Sequence, residues 1–151
     1  MIEYKVGDIF ESGAEAIVNT VNCVGVMGKG IALQCKKLYP YNYQAYRLAC
    51  EAGMVVPGKM FVHNLQTLVN PRYIINFPTK QHWKFPSKME YIETGLKDFV
   101  DMIVRLNIAS VAVPPLGCGL GGLSWGAVKP MIESAVRELQ GVDIFIYDPQ
   151  G

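Results

Sequence analysis

The chain opens on an alternation, Glu3-Tyr4-Lys5-Val6, ended by Gly7-Asp8, which predicts a first strand. The run Ala16-Ile17-Val18-Asn19-Thr20-Val21 is short and mostly β-branched, the pattern of a strand buried on both faces. Helical spacing of apolar positions predicts helices over 29–38 and 41–52, parted by Pro40 and stopped by Gly53. Lys59 to Leu65 and Arg72 to Phe77 predict two further strands. Ser87-Lys88-Met89-Glu90 has the form of a capping box. It opens a helix whose apolar stripe includes Ile92, Leu96, Phe99, Met102 and Ile103, and which stops at Asn107. Ala109 to Val113 predicts another buried strand. Ser124 is placed to cap a last helix running to about Gln140, with Gly141 as its stop, and Val142 to Tyr147 reads as a final strand. Strands and helices interleave, and the strands are continuous apolar runs. The expectation is an α/β fold, a three-layer α/β/α sandwich around a central mixed, mainly parallel sheet.

Composition narrows the class. Half of the 151 residues are hydrophobic and 18% are charged, which excludes intrinsic disorder and suits a single domain over 1–151. Fourteen Lys and Arg against 13 Asp and Glu argue against an overall positive coat, leaving room for a local patch. Glu3, Lys5 and Asp8 interrupt any signal-peptide run. The longest uncharged stretch, Leu106 to Val128, carries Pro114, Pro115 and five glycines, so it reads as strand, loop and helix start, not as a membrane span. Cys23, Cys35, Cys50 and Cys118 contain no C-x-x-C pair, and only His63 and His82 accompany them. That spacing suits no metal, and the cysteines read as reduced packing residues in a cytoplasmic protein, expected to be a monomer away from membranes. The chain reads equally as a complete protein or as the N-terminal module of a longer one.

Two glycine-rich loops each follow a strand and precede a helix: Gly25-Val26-Met27-Gly28-Lys29-Gly30 and Gly117-Cys118-Gly119-Leu120-Gly121-Gly122. Glycines let backbone N–H groups converge on an anion, and the following helix adds its positive end. At the carboxyl edge of an open α/β sheet, two such loops would suit a diphosphate, with plain tight turns as the alternative. A Walker loop is excluded by Cys23 and Gly30, which stand where glycine and Ser or Thr would be needed. The second loop matches G-x-G-x-x-G, but too few strands follow it for a dinucleotide fold.

Gly7-Asp8-Ile9, Asn19-Thr20-Val21-Asn22, Gly28-Lys29-Gly30-Ile31-Ala32 and Pro115-Leu116-Gly117-Cys118-Gly119-Leu120-Gly121 together resemble a macrodomain, in the right order along essentially the whole chain. The resemblance implies an ADP-ribose ligand; no cofactor or metal is expected, because no His/Asp/Cys cluster has ligand spacing. It implies that Asp8, supported by the Ile9 backbone, accepts a hydrogen bond from the adenine amino group. Asn22 would bond the distal ribose or the nucleobase, and Tyr147 would stack on adenine. Thr20 and the two loops, Gly28 to Ala32 and Leu116 to Gly121, would line the ligand.

The string Asn76-Phe77-Pro78-Thr79-Lys80 resembles that of the macrodomain glycohydrolases that use a lysine, which makes Lys80 the expected catalytic residue. Lys80-Gln81-His82-Trp83 and Gly117 to Trp125 resemble, more narrowly, antitoxin macrodomains that remove ADP-ribose from thymidine in single-stranded DNA. The implied partners are ADP-ribosylated single-stranded DNA and a cognate DNA ADP-ribosyltransferase toxin. One departure is Gly121, where a related eukaryotic glycohydrolase carries an aspartate that helps catalysis. Proton transfer here must fall to Lys80, water or substrate groups.

By itself, Lys80 would read as a solvated surface charge. At a reference pKa of about 10.4, only about one lysine in a thousand is neutral near pH 7, so a nucleophilic amine needs burial or nearby cations. A charged lysine would instead stabilise a departing pyrimidine anion. From Ala52 to Met89 there is no Asp or Glu, while Lys59, Arg72, Lys80, Lys84 and Lys88 interleave with Tyr73, Phe77, Trp83 and Phe85. That mix tracks phosphates and stacks unpaired bases, with His82 and Trp83 as candidate contacts to the nucleobase or strand. The competing functions are a non-catalytic ADP-ribose reader and a hydrolase of O-acyl-ADP-ribose or ADP-ribosylated protein esters.

Overall fold

The computed structural model describes residues 1–149. Its strands are β1 (Ile2–Lys5), β2 (Ala16–Val21), β3 (Phe61–Asn64), β4 (Tyr73–Pro78), β5 (Ser110–Val113) and β6 (Asp143–Tyr147). Its helices are α1 (Gly30–Leu38), α2 (Pro40–Glu51), α3 (Met89–Arg105) and α4 (Trp125–Val136). One sheet runs in the order β1-β6-β5-β2-β4-β3. Every neighbouring pair is parallel except β3–β4, so the mixed, mainly parallel sandwich expected from the pattern is the fold. Among the described residues no helix is long and apolar enough to cross a membrane.

Alternation along the strands sorts the two faces. Ala16, Val18, Ile75 and Phe77 meet Ile92, Leu96, Phe99 and Ile103 of α3 and Val128, Ile132 and Val136 of α4. Gly95 lets α3 close onto the sheet, because a Cβ there would stand 2.5 Å from the Phe77 ring. The opposite face carries Ile17 and Ile74 under Cys35 of α1, while Val21 packs with Met27 and with Tyr46 and Ala49 of α2.

That second face also buries a polar cluster. Asn19 of β2 and Asn76 of β4 are register partners, and Asn42 of α2 descends between them; all three are 0% exposed. Asn76 Oδ1 accepts from Asn19 Nδ2 (3.1 Å) and Asn42 Nδ2 (3.3 Å), and its Nδ2 donates to Asn42 Oδ1 (2.8 Å) and to the Phe61 carbonyl (3.0 Å). The cluster ties β2, β3, β4 and α2 together directly behind the first glycine loop.

Two sequence expectations are corrected. Ser87 does not cap α3: Lys88 is the cap residue and no side chain bonds the first turn. The Ser87 amide instead donates to the Gly121 carbonyl (3.0 Å), which draws Ser87 inward until it is 5% exposed. The last helix ends at Val136, short of Gln140, and Ser124 precedes it without a side-chain bond. Residues 137–141 turn instead, with Gly141 at φ 71° leading into β6.

Candidate functional site

The parallel strands all end at one edge, and the loops that leave it enclose a cleft of about 1190 Å³. This is the edge at which open α/β sheets take ligands.

The first glycine loop is organised by Asn22. Its Oδ1 accepts from the Val24 amide (3.1 Å), the Val26 amide (3.4 Å) and the Tyr46 hydroxyl (2.8 Å), while Nδ2 donates to the Val26 carbonyl (2.8 Å). A carboxamide has two N–H donors, so one remains for a ligand. Lys29 precedes α1 with no side-chain cap, leaving the first amides of the helix open beside Gly28, Gly30, Ile31 and Ala32 on the cleft wall.

The second loop is drawn tight by the Leu123 amide, which donates to the Gly117 carbonyl (2.9 Å). Gly117 sits at φ 72°, and a Cβ there would stand 2.6 Å from Leu123. At Gly121 a Cβ would lie 2.5 Å from Ser87 Oγ. Any side chain at 121 therefore meets the buried serine, which accounts for the small residue. Leu120, 67% exposed, reaches across towards Gly30, so the two loops approach over the cleft.

At one end of the cleft, Asp8 Oδ1 accepts from the Phe10 amide (2.9 Å), shaping the turn Ile9–Glu11 and leaving Oδ2 for a donor in the cleft. Tyr147 is 6% exposed, and burial together with the Asp8 charge raises its phenol above the usual range. Asp148 is held by the Trp125 indole (3.1 Å).

At the other end, the segment leaving β4 carries Lys80 alongside the first loop. The Thr79 amide donates to the Val21 carbonyl (2.9 Å), the Cys23 amide to the Gln81 carbonyl (3.2 Å), and Cys23 Sγ to the Lys80 carbonyl (3.4 Å). Lys80 is half-buried on the cleft wall, and among the described residues no carboxylate lies within 4.0 Å of its ammonium. The nearby thiols are poor nucleophiles. Burial, with the Cys50 thiol, pushes Cys23 up to about 11, and burial raises Cys118. Iodoacetamide at pH 8 is therefore expected to alkylate Cys23 more slowly in the folded protein than in urea, and equal rates would contradict this. The same shift sets a stability window. The unfolded thiol ionises from about 9.0 while the folded one holds its proton to about 11, so stability present below pH 9 declines between those values.

Asp8, Ile9, Thr20, Asn22, Lys80, Trp83, Tyr147 and both loops thus share one cavity. Leu116 does not line it: the side chain is 0% exposed and supports the second loop from the core below. His82 also stands outside the wall, where its Nδ1 accepts from the Lys84 amide (3.1 Å). The sequence reading did not single out Gln34 or Asp148, which also line the cleft. The Trp125 partnership of Asp148 joins distant elements and leaves no local signal. Among the described residues no group of three or more His, Cys, Asp or Glu is placed to hold a metal ion.

The Macro domain family matches residues 18–132. The chain is 54% identical over 149 residues to a Thermus aquaticus protein named DNA ADP-ribosyl glycohydrolase, covering 99% of this chain and 41% of that protein. The macrodomain of Mycobacterium tuberculosis DarG has the same fold, with a TM-score of 0.98, 56% identity and 99% of each chain covered. A third relative, from Thermosipho africanus, is a DNA ADP-ribosyl transferase–DNA ADP-ribosyl glycohydrolase fusion protein, 35% identical over 95% of this chain and 40% of its own length. The solved Thermosipho africanus DarTG in complex with ADP-ribose aligns with a TM-score of 0.91 over 98% of this chain and 41% of that one. The chain thus spans about two-fifths of the length of the curated relatives it matches.

Proposed function

This chain belongs to the macrodomain family, and we propose that it hydrolyses the bond between ADP-ribose and thymidine in single-stranded DNA. It would thereby reverse the modification made by a DNA ADP-ribosyltransferase toxin. The observation that carries this reading is the order of the cleft wall along the sheet edge: Asp8 follows β1 and Tyr147 ends β6, the two glycine loops follow β5 and β2, and Lys80 follows β4 at the opposite end. A reader of ADP-ribose needs the loops but has no use at that end for an ammonium that has no anionic partner among the described residues. The glycohydrolase names of the relatives and the ADP-ribose in the Thermosipho complex support the same assignment.

In this reading the open amides of α1 and of the second loop receive the diphosphate, and Asp8 Oδ2 accepts from the adenine amino group. The remaining Asn22 N–H meets the distal ribose. Lys80 either attacks or polarises C1″ of that ribose as a neutral amine, or offsets negative charge on the departing pyrimidine as a cation. On the amine route the Nζ–C1″ bond forms as the bond from C1″ to the thymine nitrogen breaks, and water then displaces the lysine; on either route the hydroxyl of water ends on C1″ and its proton on the released thymine nitrogen.

The test is a time course with thymidine-ADP-ribosylated single-stranded oligonucleotide in the presence of a chelator, beside O-acetyl-ADP-ribose and an ADP-ribosylated glutamate ester. Release from thymidine at the fastest rate is expected. Preference for either ester would replace the reading with an esterase, and binding without release would leave a reader.

A further inference from the structure

We infer that Trp83 and Phe85 form a stacking subsite for the unpaired base next to the modified nucleotide. This rests on the single-stranded DNA substrate proposed above. The connection from β4 to α3 folds into a turn in which the Phe85 amide donates to the His82 carbonyl (3.1 Å) and the Lys84 amide to His82 Nδ1 (3.1 Å). Both bonds fix His82, which lies against both Trp83 (ring centroids 5.0 Å apart) and Phe85 (5.6 Å). The half-buried imidazole is therefore a support, and the rings it spaces remain 51% and 58% exposed.

An aromatic pair left in water is informative when it is contiguous and held in place. Here it is also continuous with the cleft: Trp83 lines the wall beside Lys80, and Phe85 lies outside it. The patch thus begins where the modified base would sit and leads outwards. Its charge indicates the occupant. Lys84 Nζ stands 5.3 Å from the Trp83 ring centroid, Lys88 follows at the start of α3, and no Asp or Glu occurs from Ala52 to Met89. Rings for bases beside ammonium groups for phosphates are the parts of a single-strand site, and a paired base could not open its face to them.

The experiment compares the whole chain and its Phe85→Ala variant on two substrates, an ADP-ribosylated thymidine mononucleotide and an ADP-ribosylated single-stranded oligonucleotide. Phe85→Ala is expected to lower kcat/KM on the oligonucleotide by about tenfold, within the range for one stacked base, and to leave the mononucleotide unchanged. Phe85→Tyr should retain the wild-type preference. An equal loss on both substrates, or no loss on either, overturns the subsite. Binding of unmodified oligothymidylate, followed by quenching of Trp83 emission in a Trp125→Phe background that removes the second tryptophan, needs no reaction and separates the two proposals. Quenching weakened about tenfold by Phe85→Ala supports the subsite even where no thymidine linkage is cleaved. Hydrolysis with no quenching and no oligonucleotide preference would remove the subsite and leave the reaction standing.

Discussion

Lys80→Ala is expected to lower turnover of thymidine-linked ADP-ribose by about 10²- to 10⁴-fold, the range for a positioned proton-transfer or charge-stabilising group. Affinity for free ADP-ribose should stay within about threefold, because the loops that hold the diphosphate do not depend on the lysine side chain. Its backbone carbonyl, not its ammonium, accepts the Cys23 thiol, and among the described residues no ion pair is lost with the side chain. Stability should accordingly move by no more than about 0.5–1 kcal/mol. Single-turnover rates, ADP-ribose calorimetry and urea unfolding check the three parts. Full turnover in the variant would remove Lys80 from the reaction. Lys80→Arg separates its two chemistries: guanidinium keeps the charge and cannot act as a neutral amine. Partial activity in that variant favours charge stabilisation, and its complete loss favours the amine.

Asn76→Leu is expected to destabilise the fold by about 3–5 kcal/mol. It would strip hydrogen bonds from the Asn42 carboxamide and Asn19 Nδ2, both closed to water, and from the part-buried Phe61 carbonyl. The partners that remain to Asn42 and Asn19 are sulfur contacts, at 3.6 Å to Cys35 and 3.9 Å to Met27, which replace little of the loss. Buried groups left unpaired cost more than the net worth of the bonds they made, so the single variant should be worse than one in which Asn19, Asn42 and Asn76 are all apolar. Against a typical total of about 5–15 kcal/mol, the single loss is a large fraction. Urea midpoints for the single and triple variants measure it; a single-variant change below about 1 kcal/mol would show that the cluster contributes little.

Much of the framework was legible along the chain. β2, β4 and β5 announce themselves as short apolar runs because both faces are covered, and α3 because Ile92, Leu96, Phe99 and Ile103 recur at helical spacing toward that cover. Both glycine loops were legible for a related reason, since positive φ at Gly25, Gly30, Gly117 and Gly119 leaves few other residues available. Where local signals failed, a distant contact had replaced a local one. Ser87 carries capping chemistry, yet the Gly121 carbonyl takes its amide and turns it away from α3. Leu116 belongs by position to a ligand loop but is claimed by the core. His82 resembles a ligand contact and instead braces two neighbouring rings.

The sequence by itself determined the alternation of strands and helices, the two loops able to present amides to an anion, and the residue types available for chemistry. Each depends on interactions between near neighbours: side-chain periodicity, backbone freedom, the absence of a carboxylate in one stretch. Only the tertiary structure decided that Lys80 stands beside the Asn22 loop, because Cys23 and Lys80 lie 57 positions apart and meet through the parallel pairing of β2 with β4. It alone decided, too, that three asparagines at 19, 42 and 76 would be buried against one another. A carboxamide is polar wherever it occurs, and only the helix and strands that close over it exclude water and make its partners a condition of the fold.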